Sequence, residues 1–167
     1  MRPIPEIPSG VNVLLDSNVL VYALSASSTQ CVELLRRCDT EELSGFTTVE
    51  VINEVCHRMM VAEAFGKGLV TKPSVSAVRG KKEIIRALRE YWTQTARLLD
   101  SNLLILELNE RRIRRAQQVR ELNGLLSTDA TIVAGALELG IDHLASNDAD
   151  FDGIAGIAVF EPTDLPT

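Results

Sequence analysis

The sequence predicts an α/β fold in which helices cover both faces of a mainly parallel central sheet of four to five strands. Short apolar runs typical of buried strands alternate with segments whose apolar residues recur every three to four positions. Signals for tight hairpin turns are almost absent, so helical crossovers have to connect the strands. The chain has 167 residues and is 46% hydrophobic, which suits one domain with a substantial core.

The amino-terminal part predicts two strands and three helices. Residues 12–15 form an apolar run that ends at an aspartate, and a segment with helical periodicity follows it. A second helix is predicted for residues 30–37 and a second strand for residues 43–46. Thr47 and Glu50 have the spacing of a capping box, which predicts that the third helix begins there.

The remainder of the chain continues the alternation after an interruption. Between residues 65 and 80, three glycines and Pro73 break the periodicity, so a loop is expected there. A long helix is predicted for residues 82–99, with Trp92 on its apolar side. The later elements are a buried strand at 103–108, a helix at 110–121 with Ile113 inward and its arginines mostly outward, a helix capped by Ser127 or Thr128 and closed by Gly140, a strand at 143–146 and an edge strand at 157–160.

Four acidic residues lie at the ends of predicted strands or in the first turns of predicted helices. Ligands of an open parallel sheet collect outside the carboxyl ends of its strands, where these residues point. Carboxylates gathered there repel one another unless cations lie between them, and an all-oxygen donor set favours Mg²⁺ or Mn²⁺ over zinc. For each acid taken alone, a helix cap or a solvated surface charge is the alternative. The four residues are Asp16, Glu54, Asp129 and Asp148.

Several other classes of protein lack their sequence signatures. The glycine-rich loops that hold nucleotide phosphates or NAD are absent, and Asn18 stands where an aspartyl-phosphatase has its second aspartate. Two histidines without a GxSxG motif do not support a serine hydrolase, and three cysteines without CxxC spacing do not support a disulfide framework or a zinc cage. The apolar runs are too short to cross a bilayer and no secretory signal precedes them, so a cytoplasmic protein is expected.

The net charge of −6 conceals a segregation of charge along the chain. Thirteen of the seventeen lysines and arginines lie between Lys67 and Arg120, and every Asp, Glu, Lys or Arg after Arg120 is acidic. A basic middle segment could contact phosphates while the acidic segment holds cations, or both could be solvated helix faces.

Four segments, in order, resemble the motifs of PIN-domain ribonucleases. Residues 16–22 are similar to the opening motif of that family, a strand that ends in Asp-x-Asn-Val/Ile-Leu. Residues 47–55, 127–134 and 144–151 resemble the second, third and fourth motifs. Each motif alone has little specificity, whereas four in order with fitting spacing are a strong signal. The resemblance spans residues 11–160.

The resemblance implies one PIN-like three-layer α/β/α domain over residues 1–167 and a Mg²⁺- or Mn²⁺-dependent endoribonuclease. Its acidic tetrad would be the four acids above, with Glu54 binding a second ion or orienting water. Asn18 would steady Asp16, Ser146 stands where the family often has threonine, and Asp150 is an alternative fourth acid. The residues expected to contact RNA are Lys81, Lys82, Arg86, Arg89, Arg111 and Arg115.

VapC-like toxins are the most similar branch, because the chain resembles a compact stand-alone domain. This implies an antitoxin protein as a partner, and a homodimer. Residues 61–82 are longer than in such relatives and are predicted to be an inserted arm or loop, which could close over RNA, join two subunits or be a tolerated surface insertion. A non-cleaving RNA-binding or interaction subunit with the same fold is the alternative function, and a metal-dependent phosphatase or DNA nuclease is a further one.

Overall fold

The computed structural model describes residues 1–165, and within them six strands form one all-parallel sheet. The strands are β1 (Arg2–Pro3), β2 (Asn12–Leu15), β3 (Ser44–Thr48), β4 (Leu104–Leu106), β5 (His143–Ala145) and β6 (Ala158–Glu161). Their order across the sheet is β1-β6-β5-β2-β3-β4. The predicted parallel sheet is confirmed. It has one strand more than expected because β1 pairs with β6, so the prediction of β6 as an edge strand is wrong.

Eight helices, counted within residues 1–165, cover the sheet. They are α1 (Ser17–Leu24), α2 (Thr29–Asp39), α3 (Val49–Gly66), α4 (Val75–Val78), α5 (Lys82–Ala87), α6 (Glu90–Leu99), α7 (Glu110–Asn123) and α8 (Ser127–Leu139). The chain moves outward from β2 to β4 and then back to β5. Because crossovers between parallel strands are right-handed, this reversal puts α7 and α8, which pack together, on the face opposite to the helices between β2 and β4. The predicted three-layer arrangement is therefore confirmed. No helix in the described part of the chain is long and apolar enough to cross a membrane.

Two helices begin with caps other than those predicted. The hydroxyl of Thr48 accepts a hydrogen bond from the backbone N–H of Val51 at 3.3 Å and so caps α3. Thr47 instead donates its hydroxyl to the carbonyl oxygen of Leu15 at 3.1 Å, which ties β3 to β2. The cap of α8 is Leu126, whose side chain has no oxygen to accept from the first turn. Both predicted caps, Thr47 and Ser127 or Thr128, are therefore wrong.

The predicted helix over residues 82–99 is divided into α5 and α6 by two non-helical residues, Leu88 and Arg89. The cause is a buried carboxylate of α3. Glu63 accepts hydrogen bonds from the backbone N–H groups of Arg89 and Tyr91, each at 2.9 Å, and so satisfies the start of α6. Helical periodicity cannot reveal this break, because the carboxylate comes from another helix.

Residues 61–82, predicted to be an arm or loop, contain the end of α3, the short α4 and the start of α5. A second apolar cluster, separate from the main core, holds this region together. Its buried members are Val61, Ala64, Val70, Val78 and Leu88. Because α3 continues to Gly66, the loop expected from residue 65 starts after that helix.

Three buried positions predicted from periodicity are exposed. Trp92 is 55% exposed, Leu104 of β4 is 55% exposed at the edge of the sheet, and Ile113 is 48% exposed. In α7 the buried position is taken by Arg112, which pairs with Glu138 of α8 at 3.1 Å. A buried arginine with a carboxylate partner looks the same as a surface arginine in a hydropathy pattern.

Gly45 of β3 occupies a position with no room for a side chain. An added Cβ would lie 2.6 Å from Cδ2 of Leu103 and 2.7 Å from Sγ of Cys38. We expect Gly45→Ala to lower the free energy of unfolding by about 1–3 kcal/mol through overpacking. Gly66→Ala is the matched control, since a Cβ there meets nothing within 4 Å. Chemical denaturation measures both variants, and equal stability of the two would contradict the expectation.

Candidate active site

The predicted acidic residues gather at the carboxyl edge of the sheet. Asp16 directly follows β2, and Asp148 lies three residues after β5, the strand paired with β2. Glu54 lies in the second turn of α3, and Asp129 lies in the first turn of α8. The strand order reverses between β2 and β5, which is where open parallel sheets form a ligand crevice.

Asp16 is buried and both of its carboxylate oxygens are held by hydrogen bonds. Its Oδ1 accepts from the backbone N–H of Ser17 at 2.6 Å. Its Oδ2 accepts from Nδ2 of Asn18 at 2.7 Å and from the hydroxyl of Ser146 at 2.8 Å. Asn18 also accepts from the backbone N–H of Asn147 at 3.0 Å, so the loop after β5 is tied to Asp16. Asn18 and Ser146 therefore both donate to the same oxygen of Asp16.

Asp148 lies in the same hydrogen-bond network. The hydroxyl oxygen of Ser146 accepts from the backbone N–H of Asp148 at 3.0 Å. A carboxylate oxygen of Asp148 accepts from the backbone N–H of Asp150 at 3.0 Å and caps a short helical turn, Ala149–Phe151. Asp150 is exposed on that turn, beside the acidic cluster.

Burial and neighbouring carboxylates raise the pKa values of Asp16 and Asp129. Burial is the largest cause of the raised pKa of Asp16, and its hydrogen bonds oppose that effect while the charges of Glu54 and Asp148 add to it. Burial also raises the pKa of Asp129 to about 6, and the charges of Asp148, Asp16, Asp150 and Glu54 raise it further. The carboxylates of four separate segments are thus close enough to repel one another.

This donor set fits a hard divalent cation. All of its donors are carboxylate oxygens, which Mg²⁺ and Mn²⁺ prefer, and a cation among them would relieve the repulsion that raises the pKa of Asp129. Among residues 1–165, no three His, Cys, Asp or Glu side chains are close enough to form a ready-made coordination shell. The acids therefore form an acidic cluster rather than a preformed metal cage.

A cavity of about 410 Å³ opens on the outer side of α3 next to the acidic cluster. Sequence reasoning missed this cavity, although Asn53 and His57 are four residues apart and so share one face of a helix. Glu54, whose side chain is 46% exposed, belongs to both the cluster and the cavity wall. The lining residues are Glu50, Asn53, Glu54, Cys56, His57, Met60 and Thr128.

The six basic residues predicted to contact RNA lie on two helical regions that flank the cluster-bearing helices. The first group, in and around α5, consists of Lys81, Lys82, Arg86 and Arg89, and α5 packs against α3. Arg86 pairs with Glu83 at 2.7 Å, whereas both lysines are exposed. The second group, Arg111 and Arg115, lies on α7, which packs against α8, and both residues line a cavity of about 430 Å³.

The three-layer fold and an acidic cluster at the carboxyl edge of its parallel sheet are typical of hydrolases that bind divalent cations and act on phosphodiesters. The family model of the PIN domain matches residues 13–157, and the chain belongs to this family. PIN domains are generally nucleases.

Solved structures show the same fold at low sequence identity. The structure of VapBC2 from Rickettsia felis, bound to a DNA fragment from its promoter, has a TM-score of 0.59 at 15% identity and covers 90% of this chain and 98% of that one. A toxin–antitoxin complex from Klebsiella pneumoniae has a TM-score of 0.57 at 19% identity and covers 87% of this chain and 95% of that one. No curated protein matches the sequence.

Proposed function

We propose that the chain is a Mg²⁺- or Mn²⁺-dependent endoribonuclease that hydrolyses RNA phosphodiester bonds through its acidic tetrad. One observation carries the proposal: carboxylates from four distant segments gather so closely that their charges, added to the larger effect of burial, raise the pKa of Asp129 to about 6. Repulsion among these carboxylates destabilises the folded protein when no cation is bound. A cation bound among them would remove this repulsion and would attract the phosphate of a substrate. Membership of the PIN domain family supports the same activity. The tetrad is Asp16, Glu54, Asp129 and Asp148.

The proposed roles follow from how each acid is held. Asp16, whose orientation is fixed by Asn18 and Ser146, would hold the cation together with Asp129 and Asp148. Glu54 is more exposed and would bind a second ion or orient the attacking water. Bound cations would lower the pKa of that water and stabilise the leaving oxygen, and the products would carry a 5'-phosphate and a 3'-hydroxyl.

The basic segments would bind the RNA backbone. The segment from Lys67 to Arg89 contains seven lysines and arginines and one acidic residue, in a chain whose net charge is −6. Phosphates would be attracted to this segment and to Arg111 and Arg115 of α7, and binding would weaken with salt in proportion to the number of these contacts. The inserted region would thus serve to hold RNA beside the acidic cluster.

The toxin of a toxin–antitoxin pair is the proposed biological role. It is supported by the likeness of the fold to structures of toxin–antitoxin complexes. The proposal includes an antitoxin protein and a second copy of the chain as partners, and activity in the cytoplasm.

Cleavage of a mixed RNA pool tests the proposed activity. We expect cuts with Mg²⁺ or Mn²⁺, none with a chelator, and a loss of at least about 10²-fold in Asp16→Asn, the order that one electrostatic contact in a reaction centre contributes. A DNA pool of the same sequences distinguishes a ribonuclease from a DNA nuclease. Cleavage that survives both the chelator and the substitution would refute the proposed site. RNA binding without metal-dependent cleavage would favour the non-cleaving subunit instead.

A further inference from the structure

We propose that the cavity beside Glu54 is a nucleobase-binding subsite that selects the base next to the cleaved bond. This inference rests on the proposed RNA cleavage. The cavity, of about 410 Å³, lies within the range of about 300–1,000 Å³ that is usual for small-molecule sites, and a base with its ribose can enter it.

The position of the cavity connects it to the reaction centre. Glu54 forms part of its wall, and Thr128 on its other side directly precedes Asp129 in the first turn of α8. A scissile phosphate held among the acids would therefore have the cavity beside it. The nucleotide next to that phosphate in a single strand must lie on one side of the acidic cluster, and the cavity offers space for its base on the side of Glu54 and Thr128.

The lining offers groups that read the edge and the face of a base. Asn53 has a carboxamide that can donate and accept at once, and His57 lies one turn farther along the same face of α3. The side chains of Asn53, His57 and Thr128 are exposed, and none of them makes a hydrogen bond to another residue in the range 1–165. Met60 adds an apolar surface. Proteins read single-stranded RNA with such combinations of stacking and edge hydrogen bonds.

The charge of the lining favours a base over a phosphate. Two of the lining residues, Glu50 and Glu54, are carboxylates, and the lining contains no lysine or arginine. The carboxylate oxygens of Glu50 are buried without a hydrogen-bond partner among the described residues, so their charge is poorly screened. These charges would repel a phosphate. The exocyclic amino group of adenine, cytosine or guanine can instead donate a hydrogen bond to the exposed carboxamide oxygen of Asn53. The subsite should therefore disfavour uracil.

Two measurements test the subsite separately from catalysis. In the first, cut ends from a mixed RNA pool are sequenced for the wild type, Asn53→Ala and His57→Ala, with Gln117→Ala as a control that removes an exposed carboxamide on α7. We expect the wild type to favour an amino-bearing base at one position next to the cut, and Asn53→Ala to reduce that preference on the order of tenfold, which is what a two-point contact to a base contributes. The control should keep the preference.

In the second measurement, fluorescence anisotropy compares short labelled homopolymers of A, C and U on the Asp129→Asn protein. The homopolymers of A and C should bind more tightly than the homopolymer of U. Adding Asn53→Ala or His57→Ala to the Asp129→Asn protein should make the three affinities similar. Cleavage without base preference, or a preference that both cavity variants keep, would overturn the subsite while leaving the nuclease proposal standing. A preference among homopolymers that depends on Asn53, in a chain that cuts no RNA, would overturn the nuclease proposal and the link to a cleaved bond, and would leave the cavity as a base-binding site alone.

Discussion

Asp129→Asn is expected to abolish RNA cleavage while making the metal-free protein more stable. The pKa of Asp129 is raised from 3.8 to about 6 by burial and then by neighbouring carboxylates, so the ionised form is disfavoured in the folded state. A neutral amide removes this repulsion. Because Asp129 is partly exposed and solvent screens its charge, we expect the free energy of unfolding at neutral pH to rise by about 1–2 kcal/mol, less than the full pKa difference would imply.

The pH dependence gives this prediction a sign that can be checked. The folded state holds the proton of Asp129 more tightly than the unfolded state, so the contribution of Asp129 to stability falls as pH rises from about 3.8 to about 6. Thermal unfolding in a chelator, measured across this range, should show a smaller fall for Asp129→Asn than for the wild type. Asp100→Asn, at the end of α6 and outside the acidic cluster, is the control and should leave both cleavage and the pH profile unchanged. If Asp129→Asn loses cleavage and is also less stable than the wild type, the proposed role of Asp129 in the acidic cluster is contradicted.

Glu63→Gln is expected to be the most destabilising single change outside the main core. The buried carboxylate accepts from Nζ of Lys67 at 2.6 Å and from two backbone N–H groups at the start of α6, and an amide can satisfy only part of this set. Burial acts to raise the pKa of Glu63, but these hydrogen bonds outweigh it and lower the pKa to about 2. We expect a loss of about 2–4 kcal/mol in the free energy of unfolding at neutral pH.

Acid should remove the difference between Glu63→Gln and the wild type. A lowered carboxylate pKa contributes stability that is fully present above the unfolded value of 4.5 and is lost as pH falls towards 2. Denaturant titrations at successively lower pH should therefore show the two proteins converging. Glu83→Gln removes an exposed partner of Arg86 on α5 and should cost no more than about 0.5 kcal/mol. Comparable losses in both variants, or a gap that stays constant in acid, would be inconsistent with the proposed role of Glu63.

Much of the fold could be predicted because its signals are local. The strand before Asp16 is a continuous apolar run, as expected for a strand buried on both faces, and Gly140 ends α8 in the left-handed conformation that glycine adopts readily. The acidic cluster could be predicted because parallel strands bring their carboxyl ends to one edge.

The remaining features depend on contacts between distant residues. Glu63 divides a periodic segment into two helices from 26 positions away, and Arg112 is buried because Glu138 faces it from another helix. The strand β1 has only two residues, too few for any pattern to indicate. The cavity beside Glu54 forms where residues of α3 approach Thr128 in the first turn of α8, and no single segment encodes this approach.

The hydrogen bond between Asp16 and Ser146 has a consequence for how the protein is made. The two residues are 130 positions apart, and the backbone N–H of Asp16 also donates to the carbonyl oxygen of Ala145. A ribosome therefore has to synthesise the chain to beyond Asp148 before the strand that carries Asp16 finds its neighbour β5. Nascent chains that end before Asp148 lack part of the acidic cluster. The proposed cleavage of RNA therefore cannot begin before the ribosome has made the segment that contains Asp148.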